Sequence, residues 1–517
     1  HYTTMDPDIV MEEGIWDAEL QEIYETFDSD ITPLTDDKKL PTLFEETNQT
    51  PSKELFLQQL FSNVGTYIES FSQCLKEYQA AIQVIQSNID HHKSNTSELI
   101  EPLQSKFLAD METTHTAINE LMGAHKTYIF TPLDIHKTQE LMATLTNQEI
   151  TIQFFQSELS ELLRGNSLKG RLLLIKEQPA SHVVFKGKII EDRYVIQLVT
   201  SLPDSLMQSQ KDTKVVASMY TEENNPMKGK KTLSNNIVCV TSDKQAVFQG
   251  MKAEISTRMS PVHLFFELTN KANVTLACTR HDPRYNSCIV VITNESQWCE
   301  AQGKLIVQNC FINNTEQVPW IRYANDIHRH FLKTSRQDLT NFARCILPHE
   351  LEYLHHKYFD NSPLVSFHQS STFWTWLGPV ACALRFKRHI NTLWFHGLIY
   401  GLISKRDCEI LLGQQRVGTF VIRFSESYPG FFAVSYVTHT AQGDIVMHYL
   451  VDHTDIGSQK TLPDFLRTKE QFKYLAQLTP NTGGLIIYEK DAVLSQYYSK
   501  TKTLAGKPVA GYDPLNP

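Results

Sequence analysis

A heptad seam near the start of the chain limits most strongly what the chain can fold into. Its apolar residues follow one another at alternating steps of four and three, at Leu57, Phe61, Val64, Ile68, Phe71, Leu75, Tyr78, Ile82, Ile85 and Ile89. This spacing predicts a single helix about 50 Å long. A seam of that length is stable only when other helices cover it.

Breaks after the seam allow the chain to fold back on itself. Ser94-Asn95-Thr96 ends the first helix, Thr131-Pro132 ends a second helical run, and Gly165 is placed as the C-cap of a third. With a short helical pattern in the leader, residues 1–50, these runs predict an antiparallel four-helix bundle over residues 51–166. The alternative, a free dimeric coiled coil, fits the breaks less well. Such a bundle is expected to be a docking surface or a spacer.

Charge is distributed unevenly along the chain. The net charge is −10 over 517 residues, but residues 1–50 alone hold fourteen Asp or Glu against two Lys, which is −12. Residues 165–312 hold eighteen Lys or Arg against thirteen Asp or Glu, which is +5. The acidic leader therefore sets the overall sign, and the middle of the chain is basic.

The hydrophobic period changes to two from about Gly170 onward. Short runs predict strands at 172–175, 182–185, 194–199, 237–240, 263–268, 288–292 and 304–307. Turn signals separate these runs, which is typical of an immunoglobulin-like β-sandwich, assigned to residues 167–315. Basic residues lie near the turns, at Lys186, Lys188, Lys228, Lys230 and Lys231. On their own they fit either a solvated surface or a nucleic-acid contact.

Residues 316–392 return to helical spacing and predict an α-helical domain. The helical runs cover 320–332, 339–346, 350–359 and 373–377. His349, His355 and His356 have no carboxylate or cysteine at a metal-ligand spacing, so we interpret them as surface or core side chains. Nine cysteines are scattered without a C-x-x-C pair, which favours reduced thiols over disulfides or zinc. Neither a metal nor a cofactor is expected.

An arginine lies inside an apolar strand in the last quarter of the chain. Thr419–Phe424 is dominated by β-branched and aromatic residues, and alternation places Arg423 on the same face as Val421 and Ser425. A buried arginine is costly unless an anion meets it. It could pair with a core carboxylate or extend to the sheet edge. Its fork of donors, beside Ser425 and Ser427, also suits a dianionic phosphate.

The flanking motifs resemble an SH2 domain, a phosphotyrosine-binding module with an α+β fold, over residues 393–499. They are Trp394-Phe395-His396-Gly397, a helical stretch with Ser404-Lys405-Arg406, and strands at 431–437 and 445–451.

The variant is similar to that of the STAT family, the signal transducers and activators of transcription. The matching segments are Gly401-Leu402-Ile403-Ser404-Lys405, Gly418-Thr419-Phe420, Arg423-Phe424-Ser425-Glu426-Ser427 and Gln496-Tyr497-Tyr498-Ser499-Lys500. Trp374 and Trp376 match the structural aromatic pair of the family's linker domain. The resemblance implies that residues 316–392 form an α-helical linker domain that couples the sandwich rigidly to the SH2 domain.

The resemblance implies a role for each residue of a phosphotyrosine pocket. Arg423 would grip the phosphate, and the residues around it would be Lys405, Ser425, Glu426, Ser427 and His448.

A second set of residues resembles the family's DNA contacts. The segment Val290–Gln297 is similar to the family's strand and loop with a base-contacting asparagine, here Asn294, and Ser296 and Gln297 share that loop. Val184-Phe185-Lys186-Gly187 resembles the family's lysine-bearing loop, so the resemblance places Lys186, with the nearby Lys188, on DNA. Asparagine can pair with a base edge, while lysines neutralise phosphates. A charge of +5 is modest, so one copy is expected to bind DNA weakly.

The same resemblance implies a latent transcription factor that tyrosine phosphorylation activates. The tail of residues 500–517 is expected to be flexible and contains one tyrosine, Tyr512, as the substrate of a tyrosine kinase. A tyrosine kinase or a phosphorylated receptor is therefore an expected partner. Phosphorylated Tyr512 of one subunit would bind the SH2 domain of another, since a short tether favours a neighbour's pocket. The homodimer would move from the cytoplasm to the nucleus and bind pseudo-palindromic double-stranded DNA.

The alternative is an SH2-containing signalling adaptor that binds phosphotyrosine proteins without sequence-specific DNA binding. An enzyme is not expected, because the sequence lacks a G-x-x-x-x-G-K-[ST] loop, a His-Arg-Asp catalytic loop, a nucleophile elbow and an H-E-x-x-H motif. No run of eighteen apolar residues occurs, so membrane insertion is not expected. The start, His1 to Met5, indicates a core fragment of a longer protein that lacks an N-terminal domain.

Overall fold

The computed structural model describes residues 51–92, 96–191, 193–202, 213–228, 231–283, 286–312, 315–457, 460–479 and 484–499. The leader with its predicted helix, residues 1–50, and the tail with Tyr512 lie outside these residues. The described chain forms two compact units that divide between Cys382 and Ala383. Within these residues, no helix combines the length and the apolar character that crossing a bilayer requires.

Three long helices begin the first unit, α1 (Pro51–Asp90), α2 (Thr96–Thr127) and α3 (Pro132–Leu163). Helix α3 has a signal at each end. A capping box between Thr131 and Asp134 opens it, which satisfies amide groups that have no partner within the helix. Gly165, at φ +76°, closes it, and the Gly165 N–H donates to the Leu162 carbonyl at 3.0 Å. The predicted C-cap is therefore confirmed.

The heptad seam forms the core of this helical bundle. Its most deeply buried members are Leu57, Val64, Phe71, Tyr78, Ile82 and Ile85, each at most 3% exposed. They pack against apolar residues of α2 and α3, among them Phe107, Leu121, Leu145 and Phe155. The three predicted long helices are confirmed, and the fourth, from the leader, lies outside the described residues.

An immunoglobulin-like sandwich follows the bundle. Its strands are β1 (Arg171–Glu177), β2 (His182–Phe185), β3 (Tyr194–Thr200), β4 (Lys214–Thr221), β5 (Leu233–Ser234), β6 (Ile237–Cys239), β7 (Gln245–Phe248), β8 (Lys252–Ala253), β9 (Val262–Thr269), β10 (Thr275–Cys278) and β11 (Cys288–Ile292). One sheet has the order β1-β3-β7 and a larger one β2-β11-β9-β4-β6, with β10 paired to β9 and a separate β5-β8 pair. Apolar side chains of both sheets form one core.

One strand prediction for the sandwich was wrong, and several strands were missed. Residues 304–307 lie within a helix, α4 (Trp298–Cys310), and not in a strand. The buried positions of α4 include Trp298, Ala301, Leu305 and Ile306, which is the spacing of one helix face. A run of four residues is too short to separate the two periods. Five strands were not predicted: β4, which pairs along its length with β9, and the shorter β5, β7, β8 and β10.

Three further helices follow, α5 (Trp320–Thr334), α6 (Pro348–Phe359) and α7 (Phe367–Phe386), with the strand pair β12 (Gln317–Pro319) and β13 (Leu364–Ser366). The last residues of α7 lie beyond the division after Cys382. The predicted helix at residues 339–346 is absent, since this described segment is irregular. The Gln337 side chain accepts from the amides of Ala343 and Arg344 at 2.8 and 3.0 Å and donates to the Arg344 carbonyl at 2.8 Å. These bonds satisfy the backbone without a helix.

The second unit is an α+β domain around a five-stranded sheet. Its elements are α8 (Ile390–Phe395), α9 (Lys405–Leu412), β14 (Thr419–Phe424), β15 (Phe432–Thr440), β16 (Gly443–Val451), α10 (Leu462–Arg467), β17 (Tyr474–Leu478), β18 (Leu485–Glu489) and α11 (Lys490–Leu494). The strand order is β16-β15-β14-β17-β18. The three strands predicted here and the helix after Ser404 are confirmed. Strand β14, which carries Arg423, is central and buried throughout.

Candidate functional sites

The side chain of Arg423 is buried and donates its hydrogen bonds to neutral groups. The residue is 5% exposed. Its Nε–H donates to Ser435 Oγ at 3.2 Å and its Nη1–H donates to the Phe424 carbonyl at 3.2 Å. No carboxylate among the described residues forms an ion pair with Arg423, so the alternative of a core ion pair is not supported. Both partners are neutral, and an anion would stabilise the guanidinium strongly.

A glycine brings the start of α9 close to Arg423. The Gly401 N–H donates to the Ile422 carbonyl at 3.2 Å, and the Phe424 N–H donates to the Gly401 carbonyl at 3.0 Å. Gly401 has φ +95°, and a Cβ there would lie 2.3 Å from the buried ring of Trp394. Only glycine fits this close approach. The segment then leads directly into Lys405, whose side chain is exposed at the first turn of α9.

The loop after β14 is tied to the same helix. Glu426 Oε2 accepts from the backbone N–H of Lys405 at 3.2 Å, which is a favourable place for a carboxylate because the helix N-terminus is electropositive. Ser425 is buried, and its Oγ accepts from the Tyr428 N–H at 3.1 Å. Ser427 is exposed on this loop. The structure thus groups Lys405, Ser425, Glu426 and Ser427 around the end of β14.

His448 belongs to the same group, through two partners that sequence reasoning missed. Ser435 on β15 lies opposite His448 on β16 in the strand register. Ser435 Oγ lies 2.8 Å from His448 Nδ1, and Glu409 Oε1 on α9 lies 3.1 Å from His448 Nε2. Burial lowers the pKa of His448, while its hydrogen bond to Glu409 opposes that shift. Neither Ser435 nor Glu409 has a signal in the sequence, because only strand register and helix packing place them on His448.

The predicted DNA-contacting loops leave the sandwich side by side. Strands β2 and β11 are parallel, and Phe185 pairs with Ile292 at their carboxyl ends. The Lys186 N–H then donates to the Ile292 carbonyl at 2.8 Å. Because parallel strands end at the same edge, Lys186 and Asn294 emerge together, and both are exposed, as is Lys188.

Internal hydrogen bonds hold the loop that carries Asn294. Gln297 Oε1 accepts from the backbone N–H and the hydroxyl of Thr293 at 2.9 and 3.0 Å, and from the Asn294 N–H at 3.4 Å. The Ser296 hydroxyl donates to Asn294 Oδ1. Gln297 therefore shapes the loop, and Ser296 orients the amide of Asn294.

One basic residue near this edge was missed. The Thr257 N–H donates to the Val291 carbonyl at 3.1 Å, so the next residue, Arg258, lies close to the end of β11. Arg258 is exposed at φ +51°, and its N–H donates to Ser256 Oγ at 3.2 Å. An isolated arginine in a turn gives no sequence signal. Of the lysines predicted near the turns, Lys228 and Lys231 are exposed and Lys230 lies outside the described residues.

Family models match three parts of the chain. The STATa immunoglobulin-like domain matches residues 171–291, and the SH2 domain matches residues 394–480. An EF-hand fold domain matches residues 294–387. Across the part of the chain that the structure describes, no three His, Cys, Asp or Glu side chains are grouped to hold a metal ion.

Two curated relatives match most of the chain, and a third matches about a quarter of it. Signal transducer and activator of transcription A of Dictyostelium discoideum is 29% identical over 477 residues, which cover 90% of this chain and 66% of that protein. Signal transducer and activator of transcription B of the same organism is 29% identical over 94% of this chain and 45% of its own length. Signal transducer and activator of transcription 4 of Homo sapiens is 32% identical over 27% of this chain and 19% of its own length. The chain thus spans less than two thirds of each relative.

The fold and the matches define a multidomain protein that carries an immunoglobulin-like domain and an SH2 domain. The relatives and the family-specific immunoglobulin-like match identify the group more closely. The chain is similar to the STAT family, the signal transducers and activators of transcription, in its immunoglobulin-like domain and over most of its length.

Proposed function

We propose that this protein is a latent transcription factor that phosphorylation of Tyr512 converts into a DNA-binding homodimer. The observation that carries the proposal is Arg423, a buried cation whose hydrogen bonds go to neutral groups. The names of the relatives support it, since they describe signal transducers and activators of transcription. No enzymatic activity is part of the proposal.

The pocket around Arg423 suits a phosphate on a tyrosine. The guanidinium supplies a planar fork of donors, and the exposed Lys405 and Ser427 add a cation and a hydroxyl at the rim. A phosphate adds about two negative charges and three acceptor oxygens, so phosphorylation turns an indifferent tyrosine into a ligand. Glu426, already bonded to the first turn of α9, would position the loop and not touch the phosphate.

Exchange of tails would produce the dimer. The phosphorylated tail of one subunit binds the pocket of a second, and the reciprocal contact closes the pair around a two-fold axis. Each contact makes the other intramolecular, so the pair is far more stable than either contact alone. A tyrosine kinase phosphorylates Tyr512 before the tails are exchanged, and the upstream partner is that kinase or a phosphorylated receptor. The dimer then moves from the cytoplasm to the nucleus.

Dimerisation would also create the DNA-binding unit. Two copies of the edge that bears Lys186, Lys188 and Asn294 meet two half-sites of a pseudo-palindrome, with Asn294 reading base edges and the lysines neutralising phosphates. Doubling the phosphate contacts raises affinity steeply at low salt. Ser296 and Gln297 would contribute by holding Asn294 in place.

The test is the mass of the full chain in solution, by light scattering, before and after tyrosine phosphorylation. We expect the mass to double on phosphorylation, and Tyr512→Phe or Arg423→Ala to prevent the doubling. Arg406→Ala is the matched control, because Arg406 is an exposed arginine on α9. A chain that doubles in mass with Tyr512→Phe would contradict the proposal.

DNA binding separates this proposal from the adaptor alternative. Phosphorylated protein should shift a pseudo-palindromic duplex selected from a random pool. Lys186→Ala should reduce the slope of log affinity against log salt by about 1.8, one phosphate contact in each subunit, and Asn294→Ala should reduce sequence preference. If the dimer forms but selects no sequence, and both variants behave as the unchanged chain, the protein is an adaptor.

A further inference from the structure

The geometry points to Glu409, His448 and Ser435 as a chain of positioning residues that makes phosphate binding by Arg423 responsive to pH. The inference rests on the proposed function, since it concerns the same pocket. His448 would orient the guanidinium of Arg423 through Ser435 and would change the charge of the pocket when it is protonated. No sequence pattern indicated Ser435 or Glu409.

When His448 is neutral, the hydrogen bonds that link Arg423, Ser435, His448 and Glu409 can be arranged in one consistent direction. Arg423 Nε–H can only donate, so Ser435 Oγ accepts from it at 3.2 Å. The hydroxyl hydrogen of Ser435 then points to His448 Nδ1, 2.8 Å away. With Nδ1 accepting, the ring proton is on Nε2 and is donated to Glu409 Oε1 at 3.1 Å. Glu409 thereby fixes the tautomer that orients Ser435, and Ser435 fixes the guanidinium.

Protonation of His448 would reverse one of these bonds. An N–H at Nδ1 must donate, so Ser435 Oγ would accept from both Arg423 and His448. The hydroxyl hydrogen of Ser435 is then released and can be donated to an anion bound at Arg423. The imidazolium also adds a positive charge beside that anion. Both changes favour binding of a dianion, and by linkage the bound dianion raises the pKa of His448.

The groups that face His448 determine the pH range in which it becomes protonated. Glu409 and Lys405 approach from α9, Arg423 from β14 and Ser435 from β15, and the buried thiol of Cys408 contacts Ser435. Burial lowers the pKa of His448; Arg423 and Lys405 lower it further, and Glu409 opposes them. A bound dianion opposes the lowering of the His448 pKa by Arg423 and Lys405. The rise in affinity for the dianion should therefore appear on acidification below neutral pH.

The test measures, by calorimetry on the full chain, the affinity for a peptide of the tail sequence between pH 7.5 and 5.5. The peptide carries a difluoromethylenephosphonate in place of the phosphate on Tyr512, because this group keeps both negative charges at lower pH than a phosphate does. We expect affinity to rise about threefold to tenfold as the pH falls, because the protonated form of His448 binds the dianion more tightly.

Three variants separate positioning from general structure. His448→Asn keeps an acceptor for Ser435 without a titratable group, so affinity at pH 7.5 should stay within about twofold and the pH response should vanish. Glu409→Gln changes a half-exposed side chain and should move the response to lower pH. His439→Asn is the matched control, since exposed His439 contacts Asp444 at 2.7 Å on the same pair of strands, and it should leave the response unchanged.

The outcomes distinguish this inference from the proposed function. Suppose that Arg423→Lys abolishes binding. If the affinity of the unchanged protein then does not rise on acidification, or if His448→Asn still shows the rise, the proposed role of Glu409, His448 and Ser435 is wrong, but the phosphate-binding role of Arg423 is kept. If Arg423→Lys binds the peptide as the unchanged chain does, the proposed function itself fails.

Discussion

Replacement of Glu158 should weaken the junction between the helical bundle and the sandwich more than any surface change. Glu158 lies on α3 and is 0% exposed. Its carboxylate accepts from Ser201 Oγ at 2.7 Å, from the Gly170 N–H at 2.9 Å and from the Lys169 N–H at 3.1 Å. All three donors belong to the segments that begin β1 and follow β3, so one side chain ties both to the bundle.

The magnitude follows from what each substitution leaves behind. Glu158→Ala leaves three hydrogen-bond donors without an acceptor, and each buried donor without a partner costs about 1–3 kcal/mol. Since water reaches the exposed Lys169 and recovers part of this cost, we expect about 3–5 kcal/mol. Glu158→Gln keeps one oxygen for Gly170 and Ser201 but turns an amide N–H toward Lys169, and should cost about 1–3 kcal/mol.

Hydrogen exchange at the amides of Lys169 and Gly170 is the suitable assay, because a single free energy of unfolding is not defined for a protein of several domains. A loss of 3 kcal/mol corresponds to roughly a hundredfold faster exchange. The matched control is Glu161→Ala on the same helix, which removes exposed contacts to Arg164 at 3.2 Å and to Asn166 at 2.8 Å and should cost about 1 kcal/mol or less. Equal exchange in the two alanine variants would refute the reasoning.

Three other predictions concern separate parts of the chain. Burial and the stacked ring of His281, 3.6 Å away, lower the pKa of His263 to about 3, so the unfolded chain binds more protons at acid pH. The melting temperature of the first unit should therefore fall as pH drops from about 6.5 toward 3, and His263→Phe should flatten this dependence. Partial burial opposes ionisation of Asp464, but hydrogen bonds led by those from Ser499 lower its pKa to about 2. Asp464→Asn should speed amide exchange at Ser499, and that difference from the unchanged chain should disappear as pH falls from about 4 toward 2. Arg258→Ala should reduce the salt slope of DNA binding by about 1.8 in the dimer without changing the melting temperature, and an unchanged slope would exclude a phosphate contact.

Long patterns in the sequence predicted the fold well, and short ones did not. The heptad seam repeats over Leu57 to Ile89, so few alternative structures satisfy it, and α1 follows it. The run Lys304–Val307 has four residues, which satisfy a strand and a helix equally, and here Trp298 and Ala301 extend the helical face. The segment at 339–346 depends on Gln337, a residue outside the segment whose side chain replaces helical hydrogen bonds.

The candidate pocket shows the same limit. Arg423 could be found in the sequence because a charge inside an apolar strand is costly and therefore conspicuous. Ser435 and Glu409 could not, because their importance arises only when strand register and helix packing place them on His448. Sequence patterns identify a charged centre, whereas the neutral groups that orient it depend on tertiary contacts.

Both candidate sites consist of a buried strand followed by a short polar loop. This shared arrangement predicts which substitutions should affect binding alone and which should also affect stability. Strands β11 and β14 are buried along their whole length, and each is followed at its carboxyl end by a short polar loop. Side chains of the loops themselves, Gln297 in one and Ser425 in the other, accept the loop's backbone N–H groups. Because buried strands and bonded loops leave the exposed groups little freedom, binding loses little conformational entropy. Substitutions at exposed positions such as Asn294 and Ser427 should therefore change binding alone, whereas a substitution within either strand should weaken binding and stability together.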